Sequence, residues 1–244
     1  MSGPPKSSTV TQFIYFRLKP SVKPEDDGQN REGEQLLDLF RETILQSGHL
    51  GSAWGRTLED ENNLVWVIEW ADSSSSIPIS RLEPFIDSAG TSPDDDDDPT
   101  KLITFFTSLS PPISTTETLT KNPVTELASF AIPDDIAPKS LTQFNIDLNN
   151  FRDALVHRVQ PADVKPASWS MGQVGRPTAF DHPDSTTGKV FAYLLAVGWQ
   201  SKEKHMAVRE TKEFKETIVP LRQAALSPLR GLEMRHVTFQ RIGF

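Results

Sequence analysis

Few side chains in this sequence can exchange a proton near neutral pH. They are the five histidines, at positions 49, 157, 182, 205 and 236, together with the two tyrosines, Tyr15 and Tyr193. Histidine titrates closest to neutrality, and a tyrosine facing it suits proton transfer to or from a bound compound. His236 falls in a strand-like stretch, on one face with Leu232, Met234 and Thr238. A histidine on an apolar strand face is ordinarily a hydrogen-bonded core residue, and in the functional case a base lining a cavity. Tyr193 shares a strand face with Phe191 and Leu195, and Tyr15 with Phe13 and Arg17. Core packing with the hydroxyl at a rim is the ordinary account of both. Tyr193 and His236 are therefore the candidate catalytic pair. Tyr15, Trp66, Trp169 and Phe191 are the candidate substrate-binding residues.

The remaining histidines carry less. His205 lies nine residues before Phe214, which with Ile218, Leu221 and Ala225 forms the apolar stripe of a helix over about 202–226. Nine steps of about 100° place it half a turn from that stripe, so on one continuous helix it faces solvent. His157 sits near a helix end, where its charge complements the dipole. His182, between Asp181 and Asp184, reads as part of a polar turn built of Asp, Pro, Ser and Gly. The histidines form no HxxxH or HExxH pair, so no helix-borne zinc site is expected, and a haem-ligating histidine is left open without one being singled out. The absence of cysteine excludes disulfides, thiolate chemistry and cysteine-held zinc. No phosphate cradle or nucleophile elbow is present. The expectation is a site with no metal and no cofactor.

The elements that must position these residues follow from hydrophobic period. Strands are expected over about 11–18, 51–58, 64–70 and 101–109, with helices over 33–47 and 79–88; Leu36, Leu37, Phe40, Ile44 and Leu45 mark the first helix. The second half repeats the order: strand 125–132, helix 140–158, strands 167–174 and 189–199, helix 202–226, strand 231–242. Three correspondences support a duplication. "FRETIL" (40–45) matches "FRDALV" (151–156), "AWG" (53–55) matches "SMG" (170–172), and Trp70 precedes Phe85 by the same fifteen residues as Trp199 precedes Phe214. The segment 179–189 is an insertion peculiar to the second half, so two once-equivalent cavities have diverged.

Each half is thus expected to be a ferredoxin-like β-α-β-β-α-β unit, over 10–110 and 124–244, joined by a Pro-, Ser- and Thr-rich linker at 111–123. Strand 190–199 is apolar in both parities, which demands burial on both faces. Packing the two repeats sheet to sheet satisfies this, giving an α+β pseudo-dimeric barrel with helices outside. The order of elements, the strand-ending tryptophan and the Trp-to-Phe spacing resemble the dimeric α+β barrel superfamily. Within it they are most similar to the antibiotic-biosynthesis monooxygenase-like group, in a tandem single-chain form of a type common in fungi. The resemblance covers nearly the whole chain. It implies cofactor-independent monooxygenase, cyclase or lyase chemistry on a hydrophobic aromatic or polyketide-like compound, or alternatively a non-catalytic ligand-binding or stress-type barrel. Similar sequences often carry a histidine about nine residues after the tryptophan. That position holds Val208 here and Ile79 in the first half, so no histidine role is carried over.

The formal charge of −8 opposes binding to nucleic acid or an anionic membrane surface. Part of it is the acidic run 94–98, read as a solvated loop. With no run of about 18 apolar residues and no signal-type leader, a cytoplasmic protein is expected. Carrying both halves in one chain, it is expected to be a monomer whose partner is a hydrophobic small molecule.

Overall fold

The computed structural model describes residues 9–26, 28–87, 102–113, 119 and 121–242; the acidic run 94–98 lies outside the described residues. The first half runs β1 (Val10–Arg17), α1 (Arg31–Ile44), β2 (His49–Arg56), β3 (Asn63–Trp70), a 3-10 helix (Ile79–Phe85) and β4 (Leu102–Thr107). The second runs β5 (Val124–Pro133), α2 (Pro138–Asp153), β6 (Ser168–Arg176), β7 (Phe180–Asp181), β8 (Lys189–Trp199), α3 (Lys202–Val208), α4 (Lys212–Ala224), β9 (Arg235–Val237) and β10 (Gln240–Arg241).

Local chemistry sets the helix starts. Asn30 caps α1 by accepting from the Gly33 N–H at 2.6 Å, with Glu32 and Glu34 in the first turn where the dipole favours acids. Leu36 and Phe40 are buried as expected, but Leu45, just past the end of α1, is 75% exposed. The helix expected over 202–226 is two helices. Ser201 caps α3 and Thr211 caps α4, each side chain accepting from the N–H three residues on. The expected final strand 231–242 is also broken, into β9 and β10, so Leu232 and Met234 share no strand with His236.

The strands form one antiparallel sheet in the order β10-β2-β3-β1-β4-β6-β8-β5-β9, with β7 paired to β8. Within it, β2-β3-β1-β4 and β6-β8-β5-β9 have the same relative order. The two ends of the sheet are held by one segment, since β9 pairs with β5 while β10 pairs with β2. A further bridge joins Thr57 to Val237. The other junction is β4 on β6. Each junction depends on a glycine where a neighbouring backbone comes very close. A Cβ on Gly55 would stand 2.2 Å from the Thr238 carbonyl oxygen, and one on Gly172 would stand 2.4 Å from that of Ser108.

Both strand parities are apolar because both faces of the sheet are covered. The inner face gathers Phe13, Tyr15, Val65, Val67 and Phe105 with Leu127, Ala192, Leu194, Ala196 and Val237 in one core drawn from both halves. The outer faces pack separately. Ile14, Trp66, Ile68 and Trp70 meet α1, while Trp169, Leu195, Val197 and Trp199 meet α2 and α4. The insertion 179–189 is a short hairpin in which His182 is buried and Asp184 accepts from Ser227 Oγ at 2.6 Å. No described helix is long and apolar enough to cross a membrane.

Candidate functional site

A buried polar chain lies on the outer face of the second half, where β5, β8 and β9 meet α3. Trp199 ends β8, and the backbone then turns through the Ser201 cap into α3, which places His205 over the indole. The two rings stack with centroids 4.9 Å apart and planes 18° apart. His205 is 2% exposed and His236 fully buried. The expectation that His205 faces solvent is thus corrected. It assumed one continuous helix, and the new start at Thr211 removes the fixed angular relation between His205 and Phe214.

His205 Nδ1 and His236 Nε2 lie 2.7 Å apart, and His236 Nδ1 lies 2.8 Å from Glu59 Oε1. Glu59 comes from the loop after β2. It also accepts from the His236 N–H at 2.9 Å through Oε2 and from Lys202 Nζ at 2.7 Å through Oε1. Burial opposes ionisation of Glu59, but the hydrogen bonds from Lys202 and His236 outweigh it and bring its pKa down to about 2. One proton joins the facing nitrogens of the two histidines, and His236 Nδ1 faces the Glu59 carboxylate. His205 Nε2 faces outward from the pair, 3.5 Å from Glu126 Oε2. Burial, then His236 and Arg209, hold the His205 pKa down to about 3, so its ring is neutral.

Glu126, the third residue of β5, accepts from Trp199 Nε1 at 3.0 Å. Burial pushes its pKa up to about 7, against the opposing pull of the Trp199 hydrogen bond and the Arg209 charge. A carboxyl balanced at neutrality is the group that general acid–base catalysis needs. Glu126 and His205 form the polar end of a cavity of about 170 Å³. Phe151, Leu155, Trp169, Phe214 and Ile218 make its apolar wall, and Arg209 and Arg222 also line it.

The first half has the same scaffold without the same chemistry. Trp70 donates its indole N–H to Gln12 at 3.1 Å. Gln12 is opposite Ile68, two residues before Trp70, as Glu126 is opposite Val197, two residues before Trp199. Across the next ladder Gln12 faces Phe106, where Glu126 faces His236. An amide and a phenyl thus stand where the second half has a carboxyl and an imidazole.

Of the residues singled out from sequence, His236 is in the polar chain and Trp169 on the cavity wall. Tyr193 is not brought to His236. It faces Phe130 on β5 while His236 faces Glu126, four residues or about 13 Å along the strand. Tyr193 packs edge-on against Phe144, and burial raises its pKa against a hydrogen bond with Asn145. Phe191 lies further along, opposite Ile132. Tyr15 is on the inner face, stacked on Phe105 with the Arg235 guanidinium 5.9 Å from its ring, and its pKa is raised by burial. Trp66, on the outer face, packs against Phe40. Reasoning from sequence missed Glu126 and Glu59. A lone acid within "VTELASF" is a usable signal for the first, because ionisable groups are rarely buried unpaired. Nothing local marks Glu59, a loop acid. A second opening, of about 380 Å³, is lined by His49, Ala53, Val67, Glu69 and Arg241 among others.

No family model matches the sequence, and no curated protein matches it. Solved structures do. An anthrone oxidase-like protein is 11% identical over 98% of this chain and 95% of its own, with a TM-score of 0.54. A candidate chlorite dismutase is 9% identical over 97% and 96%, also at 0.54. A candidate monooxygenase from Fusobacterium nucleatum is 12% identical over 97% and 94%, at 0.50. At such identities the likeness is one of fold: the chain is similar across almost its whole length to proteins of the α+β barrel type.

Proposed function

We propose that this protein is a small-molecule enzyme that moves a proton on a hydrophobic, aromatic or polyketide-like compound, with Glu126 as the acid–base group. The observation that carries this reading is the Glu126 carboxyl, poised near neutrality beside the neutral His205 at the polar end of an apolar cavity. Glu126 takes the substrate proton. His205, held by His236 and Glu59, stands fixed beside it, and Trp199 keeps the carboxyl in place. At about 170 Å³ the cavity holds roughly one ring, below the usual range for ligand sites. In this reading the chain is a tandem of two ferredoxin-like repeats, 10–110 and 124–244 with linker 111–123, resembling the antibiotic-biosynthesis monooxygenase-like group. It works as a monomeric pseudo-dimer without a cofactor.

The test begins with native mass spectrometry of protein purified from its own source, to identify a retained compound. Turnover or solvent-deuterium exchange of that compound is then compared between wild type and Glu126→Gln. We expect the rate to fall by about 10²–10⁴-fold in the variant, and in the wild type to rise with pH through about 7 as the carboxyl ionises. A bound compound that neither turns over nor exchanges would favour the second reading, a non-catalytic ligand-binding protein. The opening of about 380 Å³ supports that alternative, being closer to usual ligand-site volumes.

A further inference from the structure

The cations around the cavity divide into two kinds. Helices α3 and α4 with their connection carry Lys202, Lys204, Arg209, Lys212, Lys215 and Arg222. Each lysine has a carboxylate partner: Glu59, Asp163, Glu216 and Glu210 in turn. Neither arginine forms an ion pair within 4 Å among the described residues; the charge of Arg209 reaches Glu126 and Glu210, and its head group touches Met206 Sδ at 3.8 Å. These two are also the ones that line the cavity. Arg222 stands one turn beyond Ile218 and two beyond Phe214, on the helix face whose earlier residues form the apolar wall. Arg209 lies in the break between the helices. Trp169, which also lines the cavity, is 5% exposed.

Resting on the proposed site at Glu126, we infer that its ligand is an anion: a small ring compound bearing a carboxylate or phenolate, held by Arg209 and Arg222 with the ring against Trp169 and Phe214. Guanidinium suits this role because its planar fork matches a carboxylate and is only weakly hydrated. The groups facing Glu126 are His205 from α3, His236 across the β5–β9 ladder, Trp199 and Arg209. An added anion favours the protonated carboxyl, so binding at pH 7 takes up protons and tightens as the pH falls.

The experiment titrates the full chain with benzoate and with its neutral isostere benzamide, following Trp169 and His205 by NMR and the heat by calorimetry in buffers of different ionisation enthalpy. Benzoate is expected to bind more tightly than benzamide. Arg209→Gln and Arg222→Gln should each weaken benzoate by roughly tenfold and leave benzamide unchanged, while Lys139→Gln on the exposed face of α2 changes neither. Proton uptake should vanish in Glu126→Gln. Equal affinity for the two probes, or benzoate binding indifferent to both arginines, overturns the anion assignment and leaves the site intact. If neither probe perturbs Trp169 or His205, both the assignment and the proposed site are overturned.

Discussion

Gln12 and Glu126 do the same structural task, each accepting the indole N–H of a strand-ending tryptophan, yet only Glu126 can titrate. The first half therefore supplies a natural control for Glu126→Gln, a change that keeps the acceptor and removes the charge. Its effect on stability has a definite sign. Burial raises the Glu126 pKa from 4.5 to about 7, so the folded state holds this proton more firmly than the unfolded one. The stabilisation is fully present below about 4.5 and is lost as pH rises through about 7. Denaturant titrations should show the variant matching wild type at pH 4.5 and exceeding it by roughly 1–3 kcal/mol at pH 8. An unchanged difference across that range would mean that Glu126 titrates as an ordinary carboxylate. His205 shows the limit of reading single residues from sequence. Half a turn from the stripe is its place on one continuous helix, and α3 and α4 are two. A threonine at 211, a favoured cap residue with Glu213 following, was the available sign of the break.

Most elements were legible in the sequence, and the interruptions were not. Strands β1, β3, β5 and β8 fall within a residue or two of where hydrophobic period puts them, because burial on both faces leaves long apolar runs. The break between β9 and β10 leaves no local sign, since pairing with β5 and then β2 is decided by partners distant in sequence. The Gly55 and Gly172 positions, seen at first only as matching letters in "AWG" and "SMG", gain their meaning at the sheet junctions. There a carbonyl occupies the space a Cβ would need. Alanine at either site should destabilise the fold by roughly 1–3 kcal/mol through forced backbone displacement. Alanine at Gly51, where nothing lies within 4 Å, should cost little. Thermal unfolding of the three variants checks this, and equal midpoints would contradict the junction argument.

At the scale of the molecule, the two halves share a sheet and an inner core, and a loop of the first reaches the polar chain of the second through Glu59. On the proposed pseudo-dimer, the interface a second copy would supply is already filled, so light scattering is expected to return the 27.2 kDa mass of one chain; twice that mass would refute the proposed monomer. The amino-acid sequence by itself determined the alternation of strands and helices and the correspondence of Trp70 with Trp199. These rest on local period and spacing, which a linear reading preserves. Only the tertiary structure decided that His236 lies against His205 and Glu59, across the ladder from Glu126, rather than beside Tyr193. Residues 59, 126, 205 and 236 come from four separate elements. Their meeting depends on strand register and on a helix broken at Thr211, quantities that no local pattern encodes.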